Sequence, residues 1–225
     1  MPTVLITGAN RGIGLELARQ YAADGWTVVA TCREPGKAAE LKAIGGDVPV
    51  HRLDVDDPAD LDALAAALNG QPIDVLFNNA GINIRGASIG DIDYDGWART
   101  MATNVFGPVR VAWALKDNVL ASGAKVMAFT SSKMGSIAEN RGGSIMYRSS
   151  KTALNMAVDC LARELGGRGA IAVTFHPGHV RTDMGGPSAP VTATDSAAGM
   201  RRVIAGLTPA DNGAFRNFDG TPLPW

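Results

Sequence analysis

Short runs of apolar residues alternate along the chain with longer stretches in which apolar residues recur every three or four positions. The short runs predict strands at residues 3–7, 27–31, 49–53, 75–77, 126–130 and 170–175, with a seventh near 214–219. The longer stretches predict helices at 12–24, 59–68, 94–120, 144–165 and 193–206. Most of the strand segments are continuously apolar, which is typical of strands buried on both faces. The pattern therefore predicts an α/β fold in a single domain over residues 1–225, with a doubly wound parallel sheet and helices on both faces.

Small, polar and glycine residues gather where the predicted strands end. The carboxyl ends of parallel strands meet at one edge of the sheet, and ligands bind beyond that edge in doubly wound folds. We therefore expect a functional site built from residues 7–14, 32–33, 54–55, 78–81, 131–132 and 176–182.

The composition is that of an ordinary globular chain. Of 225 residues, 46% are hydrophobic and 19% are charged, and the net charge is −1. We expect no nucleic-acid partner, because no basic stripe is present, and no membrane partner, because no apolar run approaches about 20 residues. The amino terminus lacks a signal-peptide pattern, and Cys32 and Cys160 form no metal or redox motif. These features favour a soluble cytoplasmic protein with reduced thiols and no metal.

The loop between the first strand and the first helix is rich in glycine, with the spacing Gly-x-x-x-Gly-x-Gly. Glycines at such a turn let backbone N–H groups approach a pyrophosphate at the helix N-terminus. A purely structural turn is the alternative, but the position of the loop between a strand and a helix favours phosphate binding. The candidate ligands are Gly8, Asn10, Arg11, Gly12, Ile13 and Gly14.

The end of the second strand bears on the choice of dinucleotide. Cys32 stands where an NAD-preferring site usually offers a carboxylate, and Arg33 follows it. Arg11 could reach the same place, and two guanidinium groups favour the 2′-phosphate of NADP(H) over NAD(H). Glu34 weakens this interpretation, and Arg33 as a solvated surface residue is the alternative.

Three further strand ends carry weaker signals. Asp54 and Val55 suit an adenine amino group and ring face, although a helix cap before Pro58 explains them equally well. The stretch at 78–81 could bridge strands and leave room for a flat ligand, or form a plain turn. The stretch at 177–182 could hold a carboxamide such as that of nicotinamide. The candidates in these two stretches are Asn78, Ala80, Gly81, Pro177, Gly178, Val180 and Thr182.

Tyr147 and Lys151 lie at i and i+4 of a predicted helix, so both side chains are on one helical face. A nearby cation favours the phenolate over the phenol, and such a tyrosine can exchange a proton with an alcohol or carbonyl oxygen. The alternative is a packed tyrosine and a solvated lysine. Ser132 could bind the same oxygen, with Ser131 as its competitor, because only one of two adjacent strand side chains points into the site.

Asn104 falls within a predicted helix, where asparagine is not favoured. It could face solvent or hold a water behind the lysine. His176 and His179 are weaker acid/base candidates, because the tyrosine–lysine pair already supplies that role.

Together these residues resemble the short-chain dehydrogenase/reductase family over essentially the whole chain. The matching positions are the glycine loop, the Asn-Asn-Ala-Gly stretch at 78–81, Asn104, Ser132, Tyr147-x-x-x-Lys151 and the Pro-Gly at 177–178. The resemblance implies a Rossmann-type fold with a sheet of about seven parallel strands. It also implies that Tyr147 is the acid/base and that Lys151 binds the nicotinamide ribose and lowers the tyrosine pKa. Ser132 would steady the substrate oxygen, and Asn104 would hold a proton-relay water.

Within the family the chain is most similar to carbonyl reductases of the C-factor and sniffer type. We therefore expect NADPH-dependent reduction of a ketone or aldehyde, or the reverse reaction. A dinucleotide-binding signalling module with little turnover is the alternative. The resemblance also implies a homo-oligomer, a dimer or tetramer, formed through the helices at 94–120 and 144–165. Residues 82–89, 136–143 and 185–194 are expected to line the substrate pocket.

Overall fold

The computed structural model describes residues 1–45, 48–84 and 90–225. Within these residues seven strands form one sheet in the order β3-β2-β1-β4-β5-β6-β7, and every neighbouring pair is parallel. The predicted doubly wound parallel sheet is confirmed, with strand ends that differ from the prediction by a residue or two. The strands are β1 Thr3–Ile6, β2 Thr27–Cys32, β3 Val50–Arg52, β4 Val75–Asn78, β5 Val126–Thr130, β6 Ile171–His176 and β7 Phe215–Asn217.

The helices follow the sequence pattern with two differences. A short helix, which the pattern did not predict, precedes β3, and the single helix predicted at 94–120 is three helices. They are α1 Gly12–Ala23, α2 Ala39–Lys42, α3 Pro58–Leu68, α4 Tyr94–Met101, α5 Gly107–Ala114, α6 Lys116–Leu120, α7 Ile145–Gly166 and α8 Ala193–Ala205. None of the helices in the described residues is long and apolar enough to cross a membrane.

The break between α4 and α5 is a π-helical turn over Ala102–Phe106. Pro108 explains it, because proline has no N–H to donate to the carbonyl of Asn104 four residues earlier and its ring crowds that carbonyl. The turn therefore widens, and Asn104 lies inside the widened segment.

Both faces of the sheet are buried. Alternate residues of β1 go to opposite sides, so Leu5 belongs to one hydrophobic cluster and Ile6 to the other. Residues of α3, α5 and α7 complete the first cluster, and residues of α1 and α8 complete the second. This packing explains why the strand segments are apolar throughout.

The strand order reverses at β1, which lies between β2 and β4. Such a reversal opens a crevice at the carboxyl ends of the two central strands, where doubly wound folds bind their ligands. The glycine loop follows β1 and the Asn-Asn-Ala-Gly stretch begins at the end of β4, so both lie at this crevice.

Candidate active site

The glycine loop after β1 is shaped by close contacts that only glycine permits. Gly8 and Gly12 have φ angles of +65° and +55°, in the left-handed region that favours glycine. A Cβ on Gly8 would lie 3.1 Å from Cα of Ala80, and one on Gly12 would lie 3.1 Å from Cγ2 of Thr182. A Cβ on Gly14 would overlap the carbonyl oxygen of Gly8. The loop is therefore held tightly between the ends of β4 and the segment after β6.

The N-terminus of α1 faces this loop without a cap of its own. Its N-cap residue, Arg11, makes no side-chain cap hydrogen bond, and the first turn contains no acidic residue. The first backbone N–H groups of a helix lack partners within the helix and attract anions. Arg11 itself forms an exposed 2.6 Å ion pair with Asp183, which follows β6. The loop thus has the donors that a pyrophosphate needs.

Asn79, within the stretch at 78–81, ties the ends of β1 and β4 together. Its Nδ2 donates to the carbonyls of Thr7 at 3.1 Å and Gly8 at 3.3 Å. The hydroxyl of Thr7 in turn accepts the N–H groups of Asn79 and Ala80, both at 3.0 Å. Asn78 is 2% exposed, and its side-chain amide has no hydrogen-bond partner among the described residues. Alternation along β4 sends Asn78 to the same face of the sheet as Leu76, and the bridging role expected of the motif falls on Asn79.

The end of β2 presents a buried thiol followed by exposed charges. Cys32 is 2% exposed, and Arg33 is exposed. Glu34, the acid that weakened the NADP interpretation, is held 2.5 Å from Lys37, and this ammonium lowers its pKa. Arg33 is therefore exposed at the end of β2, next to a carboxylate that is already paired.

The end of β3 settles one of the alternatives left by the sequence. The N-cap of α3 is Asp57, whose carboxylate accepts the N–H of Ala59 at 2.9 Å. Asp54 is therefore not the helix cap, and its carboxylate accepts the N–H of Asp56 at 3.1 Å. Val55 is 7% exposed, and its Cγ2 would lie 2.7 Å from a Cβ on Gly107. Its side chain thus packs on the start of α5.

Lys151 is buried at the centre of the site. It is 3% exposed, and its Nζ donates to the carbonyl of Thr130 at 2.9 Å. A Cβ on Gly81 would lie 3.5 Å from this Nζ, so Gly81 adjoins the ammonium. Burial lowers the pKa of Lys151 to about 8, because the charged form loses hydration.

Tyr147 lies one helical turn before Lys151, whose Nζ is 5.7 Å from the centre of the tyrosine ring. Burial raises the pKa of Tyr147 to about 12, and a hydrogen bond with Ser132 acts in the opposite direction. The lysine was expected to lower the pKa of Tyr147, but burial raises it. The phenol therefore keeps its proton at neutral pH.

The two serines after β5 point in different directions. The hydroxyl of Ser131 donates to Oδ1 of Asn155 at 2.5 Å, on α7 and away from the phenol. The hydroxyl of Ser132 accepts the N–H of Met134 at 3.1 Å and lies close enough to Tyr147 to lower the pKa of the phenol. The structure therefore places Ser132, and not its competitor, beside the tyrosine.

Asn104 is completely buried in the π-helical turn. Its amide donates to the carbonyl of Ile82 at 2.9 Å and to Oγ of Ser150 at 3.0 Å, and its Oδ1 accepts the N–H of Ile82 at 2.8 Å. The solvent-facing alternative is therefore wrong. The side chain instead joins the segment after β4 to α7, beside Gly81 and Lys151.

Comparison with known proteins agrees with this arrangement. The model of the short chain dehydrogenase family matches residues 2–191. The chain belongs to the short-chain dehydrogenase family. It is an NAD(P)-dependent oxidoreductase of that family, with a Rossmann-type fold.

Three proteins illustrate the likeness. The C-signal protein of Myxococcus xanthus is 46% identical over 155 residues, covering 68% of this chain and 93% of that protein. The carbonyl reductase Sniffer of D. melanogaster has a TM-score of 0.93 and 35% identity, covering all of both chains. An NADPH-bound carbonyl reductase from chicken fatty liver has a TM-score of 0.92 and 33% identity, covering 100% of this chain and 99% of that one.

In this short-chain dehydrogenase the segment after β6 folds back onto the glycine loop. Val180 pairs with Val191, which closes the intervening residues into a compact loop. Gly178 has a φ angle of +88° and packs against Val191 and Phe218. The carbonyl of Pro177 is occupied by the hydroxyl of Ser196, at 2.6 Å. The side chain of Thr182 consequently lies over Gly12, as described above.

Within the described residues, the two histidines of this segment lack a partner placed as Lys151 is beside Tyr147. Burial lowers the pKa of His176 to about 4, with a further lowering by Lys133, so its ring stays neutral at neutral pH. His179 is exposed and places Nε2 2.9 Å from the carbonyl oxygen of Gly185. Neither arrangement resembles the paired geometry of Tyr147 and Lys151.

Some site residues have no signal in the sequence. Gly135 packs on α7, where a Cβ would lie 2.8 Å from the carbonyl carbon of Lys151. Its importance, like that of Asn79, depends on packing between segments that are far apart in sequence. Of the expected pocket lining at 82–89, residues 85–89 lie outside the described residues.

Proposed function

We propose that this protein is an NADPH-dependent carbonyl reductase. Hydride would pass to the carbon of a ketone or aldehyde while Tyr147 protonates the oxygen. The observation that carries the proposal is the convergence of Tyr147, Ser132, Lys151 and Asn104 at the sheet edge, beside a glycine loop suited to a pyrophosphate. The likeness to two carbonyl reductases over essentially the whole chain supports the same activity.

The protonation state of Tyr147 suits the reductive direction. A reductase needs a proton donor at the carbonyl oxygen, and a phenol with a pKa of about 12 holds its proton at neutral pH. Ser132, beside the phenol, can donate a second hydrogen bond to the same oxygen and stabilise the negative charge that develops there.

Lys151 supports this proton transfer by its charge, and Asn104 supports it by holding neighbouring backbone in place. With a pKa of about 8, Lys151 is mostly an ammonium at neutral pH. Its charge favours the phenolate that remains once the proton has left Tyr147. Asn104 joins the backbone of Ile82 to Ser150 of α7 by hydrogen bonds. These bonds hold the segment at Gly81, which adjoins the ammonium, against the helix.

The residues of the crevice also suit a dinucleotide. Gly8, Gly12 and the uncapped N-terminus of α1 form a cradle for a pyrophosphate, and the bound dinucleotide would supply the hydride. At the far end Arg33 would bind the 2′-phosphate, because no carboxylate occupies position 32. The NADPH-bound chicken enzyme supports this preference. Arg11 is the less suitable partner, since Asp183 already pairs with it.

The activity is tested by NADPH oxidation across a panel of aldehydes, ketones and quinones. We expect Tyr147→Phe to bind NADPH with unchanged affinity, measured by the fluorescence of the cofactor, and to lose turnover. Tyr94→Phe is the matched control, because Tyr94 is 71% exposed on α4. Turnover at the parent rate in Tyr147→Phe would show that the phenol is not the acid.

Cofactor preference is tested by Arg33→Asp. A carboxylate at this position should repel the 2′-phosphate, raise the Kd for NADPH and shift the preference toward NADH. Arg202→Asp, at an exposed position of α8, makes the same change of charge away from the crevice. Equal effects of both substitutions would refute Arg33 as the phosphate ligand.

A regulatory function is the second candidate, and the 46% identity to the C-signal protein favours it. The protein would then bind NADP(H) and signal through binding, with little turnover. The same panel distinguishes the two functions. Micromolar NADPH binding without turnover of any carbonyl would favour the regulatory module.

We also propose that the protein forms a homo-oligomer, a dimer or tetramer, through α4, α5 and α7. This face exposes four large hydrophobic side chains, at Tyr94, Phe106, Trp113 and Met156. Met156→Glu should shift the mass measured by light scattering toward the monomer, whereas Met184→Glu, in the loop after β6, should not. A cytoplasmic location remains our prediction, and the unpaired thiols of Cys32 and Cys160 are consistent with it.

A further inference from the structure

Residues 133–144 connect the two hydroxyl groups of the site, since they join Ser132 to the helix that carries Tyr147. We call this segment the connecting loop. Its last three residues, Gly142, Gly143 and Ser144, have φ angles of +75°, +68° and +47°. The left-handed region is costly for a serine, so the surrounding structure must hold this conformation in place.

The side chain of Arg148 holds the connecting loop at both ends. Its Nε donates to the carbonyls of Gly142 at 2.9 Å and Gly143 at 3.0 Å. Its Nη1 donates to the carbonyl of Met134 at 3.3 Å. One half-buried guanidinium therefore joins the start of the loop, two residues after Ser132, to its end.

The location of this cation is not explained by helix electrostatics. Arg148 lies in the first turn of α7, where the helix dipole disfavours positive charge. Among the described residues it forms no ion pair with a carboxylate. The guanidinium donates its hydrogen bonds to three carbonyls of the connecting loop, so its role lies in the loop.

Met134 shows how the loop connects to the chemistry. Its N–H donates to the hydroxyl of Ser132, and its carbonyl accepts from Arg148. Arg148 in turn follows Tyr147 directly on α7. We propose that Arg148 is a positioning residue that sets the separation of the Ser132 and Tyr147 hydroxyls. The kinetic part of this inference rests on the proposed carbonyl reductase function.

The geometry requires a guanidinium rather than any cation. A planar fork can donate from Nε and Nη1 in two fixed directions at once, whereas a lysine ammonium is a single point of charge. Other contacts keep the loop folded without Arg148. Lys133 pairs with Glu139 at 2.8 Å, and the N–H of Ala138 donates to the carbonyl of Trp225 at 2.9 Å. Loss of the fork should therefore loosen the loop and leave the fold intact.

The kinetic test compares Arg148→Lys and Arg148→Gln with the parent enzyme. We expect the NADPH Kd to stay within about twofold and kcat to fall about tenfold to hundredfold in both variants, as for a misplaced reacting group. The pH profile of alcohol oxidation should also move to higher pH, because the hydrogen bond from Ser132 lowers the pKa of Tyr147. Arg202→Lys, at an exposed position of α8, is the matched control and should match the parent.

Two kinetic results would overturn the inference. Parent-like kcat and pH profile in Arg148→Gln would show that the guanidinium does not position the hydroxyls. Full recovery of kcat in Arg148→Lys would show that charge alone is sufficient and that the fork is irrelevant.

Hydrogen–deuterium exchange tests the same inference without turnover. Amide exchange in Arg148→Lys should be faster in the connecting loop and unchanged in the strands. Unchanged exchange in the loop, or faster exchange across the whole chain, would overturn a local positioning role. A parent protein that reduces no carbonyl would refute the proposed function, and the exchange measurement would still decide the role of Arg148.

Discussion

Replacing Lys151 with methionine should abolish reduction and stabilise the fold. The ammonium is 3% exposed, and burial lowers its pKa from 10.5 to about 8. Below pH 8 the lysine is protonated in both the folded and the unfolded chain, and the folded chain bears the full cost of burying the charge. Between about pH 8 and 10.5 the unfolded chain binds more protons, so the stability of the parent rises with pH over this window.

The size of the effect follows from the shift in pKa. One pKa unit corresponds to 1.36 kcal/mol, so burial of the ammonium costs about 3 kcal/mol at pH 7. Methionine has a similar length and no charge, but it leaves the carbonyl of Thr130 without its donor, which costs about 1 kcal/mol. The net gain of about 2 kcal/mol should raise Tm by about 4–8 °C.

Urea unfolding of the parent and of Lys151→Met at pH 7, 8.5 and 10, without added cofactor, measures this difference. The free energy of unfolding of the variant should exceed that of the parent at pH 7, and this difference should shrink to nearly zero by pH 10. The parent lysine is then mostly neutral in the folded state. Lys42→Met, at an exposed position of α2, should show no such dependence. A variant that is less stable than the parent at pH 7, or a difference independent of pH, would refute the reasoning.

Three further predictions concern the glycine loop, the pH dependence of the reaction and the packing of the C-terminal tryptophan. Gly14→Ala should destabilise the protein by about 1–3 kcal/mol in urea unfolding and weaken NADPH binding, because its Cβ would overlap the carbonyl of Gly8. The rate of carbonyl reduction should fall as pH rises through about 8, where Lys151 loses its charge, whereas alcohol oxidation should rise with pH because it needs the phenolate of Tyr147. A reduction rate that increases between pH 7 and 9 would contradict this assignment. Trp225→Ala should lower the free energy of unfolding by about 0.5–1.5 kcal/mol more than the lost burial alone, because the ring stacks on Phe215 with centres 5.3 Å apart. Trp225→Phe should retain most of this stability in the same urea measurement.

The sheet could be predicted from sequence because its signal is local. A strand buried on both faces has to be apolar at nearly every position, so the segments around Leu5 and Met127 are recognisable without knowledge of their neighbours. The signal of the glycine loop is equally local, since Gly8 and Gly12 adopt the left-handed backbone that favours glycine. Tyr147 and Lys151 were found because their spacing follows helix geometry.

The parts that could not be predicted depend on contacts between distant segments. Either Asn78 or Asn79 could have bridged β1 and β4, and only the direction of alternation along β4 decides between them. The raised pKa of Tyr147 depends on how deeply the fold buries it, which its spacing from Lys151 does not reveal. The π-helical turn did have a local signal in Pro108, whose missing N–H widens the helix at Asn104.

Several local rules of protein structure are broken at this one edge of the sheet. Lys151 is a buried cation, Ser144 adopts a left-handed backbone, and the amide of Asn78 is buried without a partner in the described residues. Each of these is unfavourable by itself, and a chain selected for stability alone would replace them at little cost elsewhere. Their presence at the edge that carries Lys151 indicates that this edge is shaped by its chemistry. Substitutions that relieve such features, as in Lys151→Met, should therefore gain stability and lose turnover together, whereas substitutions at regular core positions should lose stability first.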